Sequence, residues 1–310
     1  MSTSELFKSV DVIEGPTVAT VGTFDGVHLG HRALIQRVIV EAEKRNARSV
    51  AIVFVRQPRA YITPDAAVSY LCDFEARKHM LNELGVDQII PVEFGAEIQK
   101  LSAEEFVLGL HETFDLRALI VGPGALIGSD RIGVEQLTKS WSSTNAPIDF
   151  LSVAAEMIED QQVSSSAIRN AIKAGHLEIA SKMLGRNYSI EGPVAGGDER
   201  GRELGFPTAN IEQDPGITVP DNGIYATFAK VDGKVYQAAT SIGVRPTFEA
   251  DGTRKIEAFL LDFDGDIYTK QLRLEFVTRL RGEVAFESVK QLVAQMNKDV
   301  EQAHEILSSK

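Results

Sequence analysis

Residues 17–31 read TVATVGTFDGVHLGH, and the fold turns on the change of character at Gly22. From Thr17 to Gly22 the residues are small, apolar and largely β-branched, as in a short strand buried on both faces. Over residues 31–45 the apolar positions return at helical spacing. A strand that passes through glycines into a helix is the first half of a strand–helix–strand unit. The alternation continues outward. Residues 49–54, 88–92 and 118–121 read as further buried strands, with amphipathic helices expected over 74–84 and 103–112. That order predicts an α/β domain, a parallel sheet with helices packed on it.

The texture changes after Gly185. Asp232-Gly233 and Asp264-Gly265 each lie between apolar, β-branched runs, which predicts two tight hairpins. With further strands expected over 188–194 and 272–276, the reading is a small antiparallel barrel. A closing helix is expected because Val289, Leu292, Val293, Met296, Val300, Ala303 and Leu307 share one helical face. A chain of 310 residues is about twice the size of one compact domain, so domains at 1–185 and 186–310 are expected.

Charge and cysteine usage narrow the function. The first 185 residues carry a net charge of −7 and the remainder −5, together the −12 of the whole chain. Neither part has the basic surface that nucleic acid requires. An anionic substrate must be met by a local device, a helix N-terminus or a bound cation, against the field of the whole chain. Cys72 is the single cysteine; it excludes an internal disulfide and suits a reducing, cytoplasmic setting. No stretch approaches the roughly 18 apolar residues of a membrane span, and none resembles a targeting segment. Self-association is left open.

In the opening stretch His28 and His31 stand three apart at a helix start, so both rings share the face that presents free backbone N–H groups. Imidazole donors beside a helix dipole suit charge developing on a phosphorus centre. Such a pair is more often structural, but the glycines and the strand-to-helix position favour the chemical reading. The segment GTFDGVHLGH resembles the first motif of nucleotidyltransferases of the His-x-Gly-His type, and more narrowly of the bacterial bifunctional riboflavin kinase and FAD synthetase. The resemblance implies a Rossmann-like fold, with His28 and His31 stabilising the α-phosphate of ATP. It adds nucleotide contacts at Gly22, Phe24, Asp25 and Gly30. Residues 163–169, VSSSAIR, are similar to a second motif of that family, which assigns Ser164, Ser165, Ser166 and Arg169 to the nucleotide phosphates; alone, three serines are an ordinary helix cap. Two motifs depart from the family. Residues 54–59, FVRQPR, carry Arg56 and Gln57 where the family has Pro and His. Residues 122–128, GPGALIG, keep only the outer glycines, although Arg131 and Gly133 match.

The second constellation is GGDERGRELGFPTANI, residues 196–211. Alternation along an extended Pro-Thr-Ala-Asn step puts Thr208 and Asn210 on one side, two oxygen ligands of the kind Mg2+ accepts. The stretch closely resembles the riboflavin kinase signature. It implies Mg2+ and ATP at Thr208 and Asn210, with Gly201, Arg202 and Phe206 contacting the nucleotide. The match continues through residues 221–225, 241–248 and 256–268. It places on Glu257 the base that deprotonates the ribityl 5′-hydroxyl. A carboxylate among Ile256, Ala258 and Phe259 is otherwise a residue on a solvated strand face. The implied enzyme makes FMN from riboflavin and FAD from FMN, with ATP as co-substrate. Given the altered motifs, two other readings of the first domain stay open: transfer of a different nucleotide or to a different acceptor, and a non-catalytic regulatory or oligomerisation module.

Overall fold

The computed structural model describes residues 14–63, 68–141, 146–196, 204–244 and 254–310. The chain divides into two compact units, one formed by residues up to Val68 with Asp73–Ser164, the other by Ser69–Cys72 with Ser165–Lys310.

In the first unit the elements follow as β1 (Thr17–Gly22), α1 (Leu29–Lys44), β2 (Arg48–Phe54), α2 (Pro58–Ile62), α3 (Phe74–Glu83), β3 (Gln88–Val92), α4 (Ala96–Lys100), α5 (Ala103–Phe114) and β4 (Leu116–Val121). Two short strands, β5 (Leu126–Ile127) and β6 (Ile132–Gly133), then lead to α6 (Val134–Trp141), β7 (Asp149–Ser152), β8 (Met157–Ile158) and β9 (Gln161–Gln162). The sheet order is β3-β2-β1-β4-β7, and every pairing in it is parallel. All four strands expected in this half are present, and β7 extends the sheet at one edge. Because successive side chains alternate between faces, Val18, Ala51 and Val53 join Leu34, Ile35 and Val38 of α1 on one side. Ala19, Val50 and Ile52 join Phe106, Leu110 and Trp141 on the other. The chain runs from β1 outward to β3, then returns to β4 on the opposite side of β1. That reversal opens a crevice beyond the carboxyl ends of β1 and β4, where open α/β sheets take their ligands.

The second unit holds α7 (Ser165–Lys173), α8 (Leu177–Leu184), β10 (Tyr188–Ala195), β11 (Ala209–Ile211), β12 (Gly223–Val231), β13 (Lys234–Val244), β14 (Arg254–Leu260), β15 (Gln271–Arg281) and α9 (Val289–Ser308). Its strands close a six-stranded antiparallel barrel in the order β10-β11-β14-β13-β12-β15. The Asp232-Gly233 turn is the expected hairpin, joining β12 to β13 with both residues at positive φ, 49° and 76°, as a two-residue turn of this hand requires. Asp264-Gly265 is not a hairpin, contrary to expectation. β14 and β15 are not neighbours, and positive φ falls instead on Asp262 and Thr269, at 55° and 65°. The ten residues between them therefore form a loop. α8 lies against β10 and β15, and α9 against β12, β13 and β15. Along α9 the apolar stripe begins one turn later than its spacing suggests, since Val289 is 62% exposed. The residue that ties the helix down is polar: Asp299 accepts two hydrogen bonds from Arg281, at 2.8 and 2.6 Å.

Candidate active sites

The first site grows from the turn between β1 and α1. Phe24 and Val27 sit at φ 53° and 39° around Gly26 at 78°, and Val27 N–H donates to Phe24 O at 3.0 Å. Positive φ is unusual for a bulky residue, and more so for a β-branched one. His28 caps α1, its Nδ1 accepting from the backbone N–H of His31 at 3.3 Å. Accepting that bond takes a lone pair on Nδ1, which leaves the ring proton on Nε2. The two imidazoles stack with centroids 3.6 Å apart, and the Phe24 ring meets His31 edge-on at 5.2 Å. Gly30 makes room for this: a Cβ there would stand 3.3 Å from the His28 ring. Burial first, and His28 second, hold the His31 pKa well below the ordinary histidine value, so His31 is neutral near pH 7. Its Nδ1 is buried without a hydrogen-bond partner, a deficit of about 1–3 kcal/mol.

Of the residues expected around this turn, Gly22, Phe24, Asp25, His28, Gly30 and His31 are brought together, with Asp25 and His28 buried. Ser164 belongs to the same unit. Ser165, Ser166 and Arg169 open α7 in the other unit, where Arg169 donates to Ser166 Oγ at 3.1 Å. Beyond the carboxyl ends of β1, β2 and β4 lies a cavity of about 460 Å3, lined by Val21, Phe54, Phe94, Val121, Leu126 and Arg131 among others. Phe54 and Tyr61 both meet Phe94 edge-on, at 5.6 and 5.9 Å. The altered segment at residues 122–128 contributes Ala125, Leu126, Ile127 and Gly128 to the cavity wall. Gly128 is kept for a packing reason: at φ 74°, an added Cβ would fall 2.1 Å from the backbone N of Ala103.

The second site is set by strand register. β11 lies between β10 and β14, pairing Asn210 with Ala195 on one side and with Glu257 on the other. Glu257 in turn faces Ser241 on β13. Directly paired residues share a face of the sheet, so Asn210, Glu257 and Ser241 form a polar row across three strands. All three are half-buried, whereas their neighbours Ala209, Ile211, Ile256, Ala258 and Ile242 are buried. Phe206, expected at the nucleotide, packs edge-on against Phe259 at 5.3 Å, two residues along β14 from Glu257. Thr208 lines a cavity of about 490 Å3 with Val194, Pro207, Leu260, Phe263, Asp264 and Tyr268. The loop that replaced the expected second hairpin thus forms one wall of this cavity. Gly201, Arg202 and the 245–248 segment lie outside the described residues. Among the described residues no cluster of three or more His, Cys, Asp or Glu stands where it could hold a metal. The hydroxyl of Thr208 and the amide oxygen of Asn210, expected to hold the cation, are hard oxygens of the kind Mg2+ takes; Thr208 lines the cavity, whereas Asn210 and Glu257 lie in the neighbouring polar row and are not among its lining residues.

Two residues in these neighbourhoods were given no role by the sequence. Ser241 is placed only by its pairing with Glu257. Arg77, on α3, is buried to 2% exposure and donates to the backbone where β1 and β2 end; within its sequence, EARKH, it reads as one cation on a solvated helix.

Comparison with known proteins finds a match for each part of the chain. A FAD synthetase family model matches residues 11–167 and a riboflavin kinase model matches residues 184–307. The chain is 34% identical over 284 residues to a bifunctional riboflavin kinase/FMN adenylyltransferase from Pseudomonas fluorescens, covering 91% of this chain and 90% of that protein. It is 30% identical to the protein of the same description from Bacillus subtilis, covering 94% and 92%. A solved structure described as a macrolide-efflux protein from Streptococcus pneumoniae superposes with a TM-score of 0.88 at 27% identity, over 96% of this chain and 97% of that one. No helix of the described residues is long and apolar enough to cross a membrane. With both of its parts matched in order, and relatives that align over nearly the whole length, the chain belongs to the family of bifunctional riboflavin kinases/FMN adenylyltransferases, enzymes of flavin cofactor biosynthesis.

Proposed function

We propose that residues 186–310 phosphorylate riboflavin to FMN and that residues 1–185 adenylylate FMN to FAD, each step consuming ATP. The observation that carries the kinase reading is the register that sets Glu257 directly across from Asn210. Glu257 takes the proton of the ribityl 5′-hydroxyl as that oxygen bonds to the γ-phosphorus of ATP; the β–γ bridging bond breaks and ADP leaves. Thr208 and Asn210 would hold Mg2+, which when bound neutralises phosphate charge. Phe206 supports the wall beside Glu257, and Gly201 and Arg202 take the nucleotide as the family resemblance assigns them. The cavity at Thr208 is of a size that accepts a small-molecule ligand.

In the first domain an FMN phosphate oxygen attacks the α-phosphorus of ATP and pyrophosphate leaves. His28 donates from Nε2, and His31, stacked on it as a second neutral imidazole, serves with it as a hydrogen-bond donor to charge developing in the transition state. Gly22, Phe24, Asp25 and Gly30 shape the turn that receives the nucleotide. Ser164, Ser165, Ser166 and Arg169 hold its phosphates. The apolar cavity beside Phe54 and Phe94 takes the flavin ring. A cytoplasmic location suits the single cysteine.

The test is a separation of products from riboflavin, ATP and Mg2+. FMN followed by FAD is expected. Glu257→Gln should lose FMN formation but still convert supplied FMN to FAD, and His28→Ala should do the reverse. Replacing ATP by CTP tests the nucleotide, and a cytidylylated flavin in preference to FAD would overturn the adenylyl assignment.

A further inference from the structure

Arg77 is the bulkiest of the fully buried side chains among the described residues. Its guanidinium donates to Thr23 O at 2.7 Å, Val55 O at 2.7 Å and Phe54 O at 3.1 Å, while its Nε donates to Asp73 O at 3.3 Å. The Phe74 ring lies beneath the charge, 5.3 Å away. These carbonyls belong to three separate pieces of chain: the turn after β1, the end of β2, and the start of α3. Taking a guanidinium out of water is costly, and this position spends its donors on backbone geometry at the carboxyl edge of the sheet.

Thr23 immediately precedes the turn whose Phe24 and Val27 are held at positive φ. Such backbone persists only where its surroundings over-determine it. The buried side chains of Phe24 and Val27, at 1% and 0% exposure, fix where the turn sits. They do not fix which way the Thr23 carbonyl points. Arg77 does, and the Phe24 ring that follows rests on His31.

We propose that Arg77 is a positioning residue for adenylyl transfer, tying the turn after β1 to the end of β2 so that His28 and His31 are held stacked at the head of α1. The proposal rests on the adenylyl-transfer reading of the two histidines. A fork of donors is essential to it. Lysine keeps the charge but offers a compact ammonium in place of a planar guanidinium, and cannot span the same carbonyls.

The experiment compares full-length Arg77→Lys and Arg77→Met with the parent chain. FAD formation from FMN and riboflavin phosphorylation are measured on the same preparations. Imidazole 1H–13C signals of His28 and His31, assigned through His28→Ala and His31→Ala, report the ring stack through its ring-current shift. In Arg77→Lys the kcat for FAD formation should fall by about tenfold to a hundredfold, the usual consequence of misplacing a catalytic group by about an ångström. The KM for ATP should stay within about twofold, because transition-state alignment is what is lost. The stacked-ring shifts should collapse, with riboflavin phosphorylation and Trp141 fluorescence unchanged. A residue that only stabilised the fold would lower the melting temperature and leave the kcat and ring shifts of the folded protein alone; that result overturns the proposal. If Arg77→Met does not accumulate, Arg77→Lys decides. If His28→Ala still makes FAD, the reading beneath fails and the proposal with it. If His28→Ala is inactive while Arg77→Lys retains kcat, only the positioning role is lost.

Discussion

Glu257 depends on a pairing between residues far apart in the chain. Its neighbour Asn210 reaches it because β11, only three residues long, is inserted between β10 and β14. Glu257→Gln keeps the shape and one hydrogen-bonding oxygen but cannot accept the hydroxyl proton. The rate of FMN formation should fall by about a hundredfold to ten-thousandfold, the range for loss of a general base, with the KM for ATP little changed. Chromatographic quantification of FMN checks it, and full activity would exclude Glu257 as the base. Residue chemistry at this site was read from the sequence, alternation predicting Thr208 and Asn210 on one face, although Thr208 stands just before β11 and lines a cavity that Asn210 does not. Register was not, which is why Ser241, although inside a matched segment, was given no role. Arg77 was hidden for a different reason: whether a helical arginine is buried is decided by what packs over it, and local pattern carries no trace of that.

At the level of elements, α1 is anchored to the sheet by charge as well as by apolar contact. Glu41, 5% exposed, accepts from Lys44 at 2.9 Å and from Arg45, and Arg37 lies 3.0 Å away. Arg45 reaches on to Asp149 of β7 at 2.8 Å. The hydrogen bonds from Lys44 and then Arg45 pull the Glu41 pKa down to about 2 from an ordinary value of 4.5. A carboxylate depressed in the folded state stabilises it above the unfolded pKa and loses that effect as pH falls through the folded one. Glu41→Gln should therefore lower the urea midpoint of the first unit at pH 7, and the difference from the parent should shrink between about pH 4.5 and 2. Trp141, the single tryptophan, is buried in that unit and reports its unfolding alone; a pH-independent difference would refute the anchor. On the barrel, Arg281→Met strands Asp299, 4% exposed, without its bidentate partner. Removing one member of a fully buried pair costs about 3–5 kcal/mol; the loss here should be smaller, since Arg281 is partly exposed and Gln295 still donates to Asp299 at 2.9 Å, and is to be read as a lower denaturant midpoint by circular dichroism. Element existence was largely legible, from periodicity and glycine punctuation. Asp264-Gly265 shows the limit, since the same dipeptide closes a hairpin or crosses a barrel end depending on whether its flanking strands are neighbours.

For the whole molecule, the net charge of −12 sets the sign of a salt effect. A field that repels ATP is screened as ionic strength rises, the Debye length falling from about 30 Å at 0.01 M to about 10 Å at 0.1 M. With free Mg2+ held constant, the KM for ATP should stay level or fall over that range. A steep rise would mean that surface cations, not the built sites, recruit the nucleotide. A two-part organisation was expected from the switch in texture near Gly185, whereas the second compact unit begins at Ser165 and takes in α7 and α8. The chain path between the parts was not. Tyr70 donates its N–H to Gly216 O and accepts from Thr218 N–H, both at 2.8 Å, so four residues from the first third of the sequence complete the edge of the C-terminal unit. A gene fragment cloned from codon 165 onward would lack that peptide and leave the 216–218 backbone bare. Anyone wishing to produce the kinase by itself would do better to graft Ser69–Cys72 back through a short artificial linker than to trim at the apparent junction.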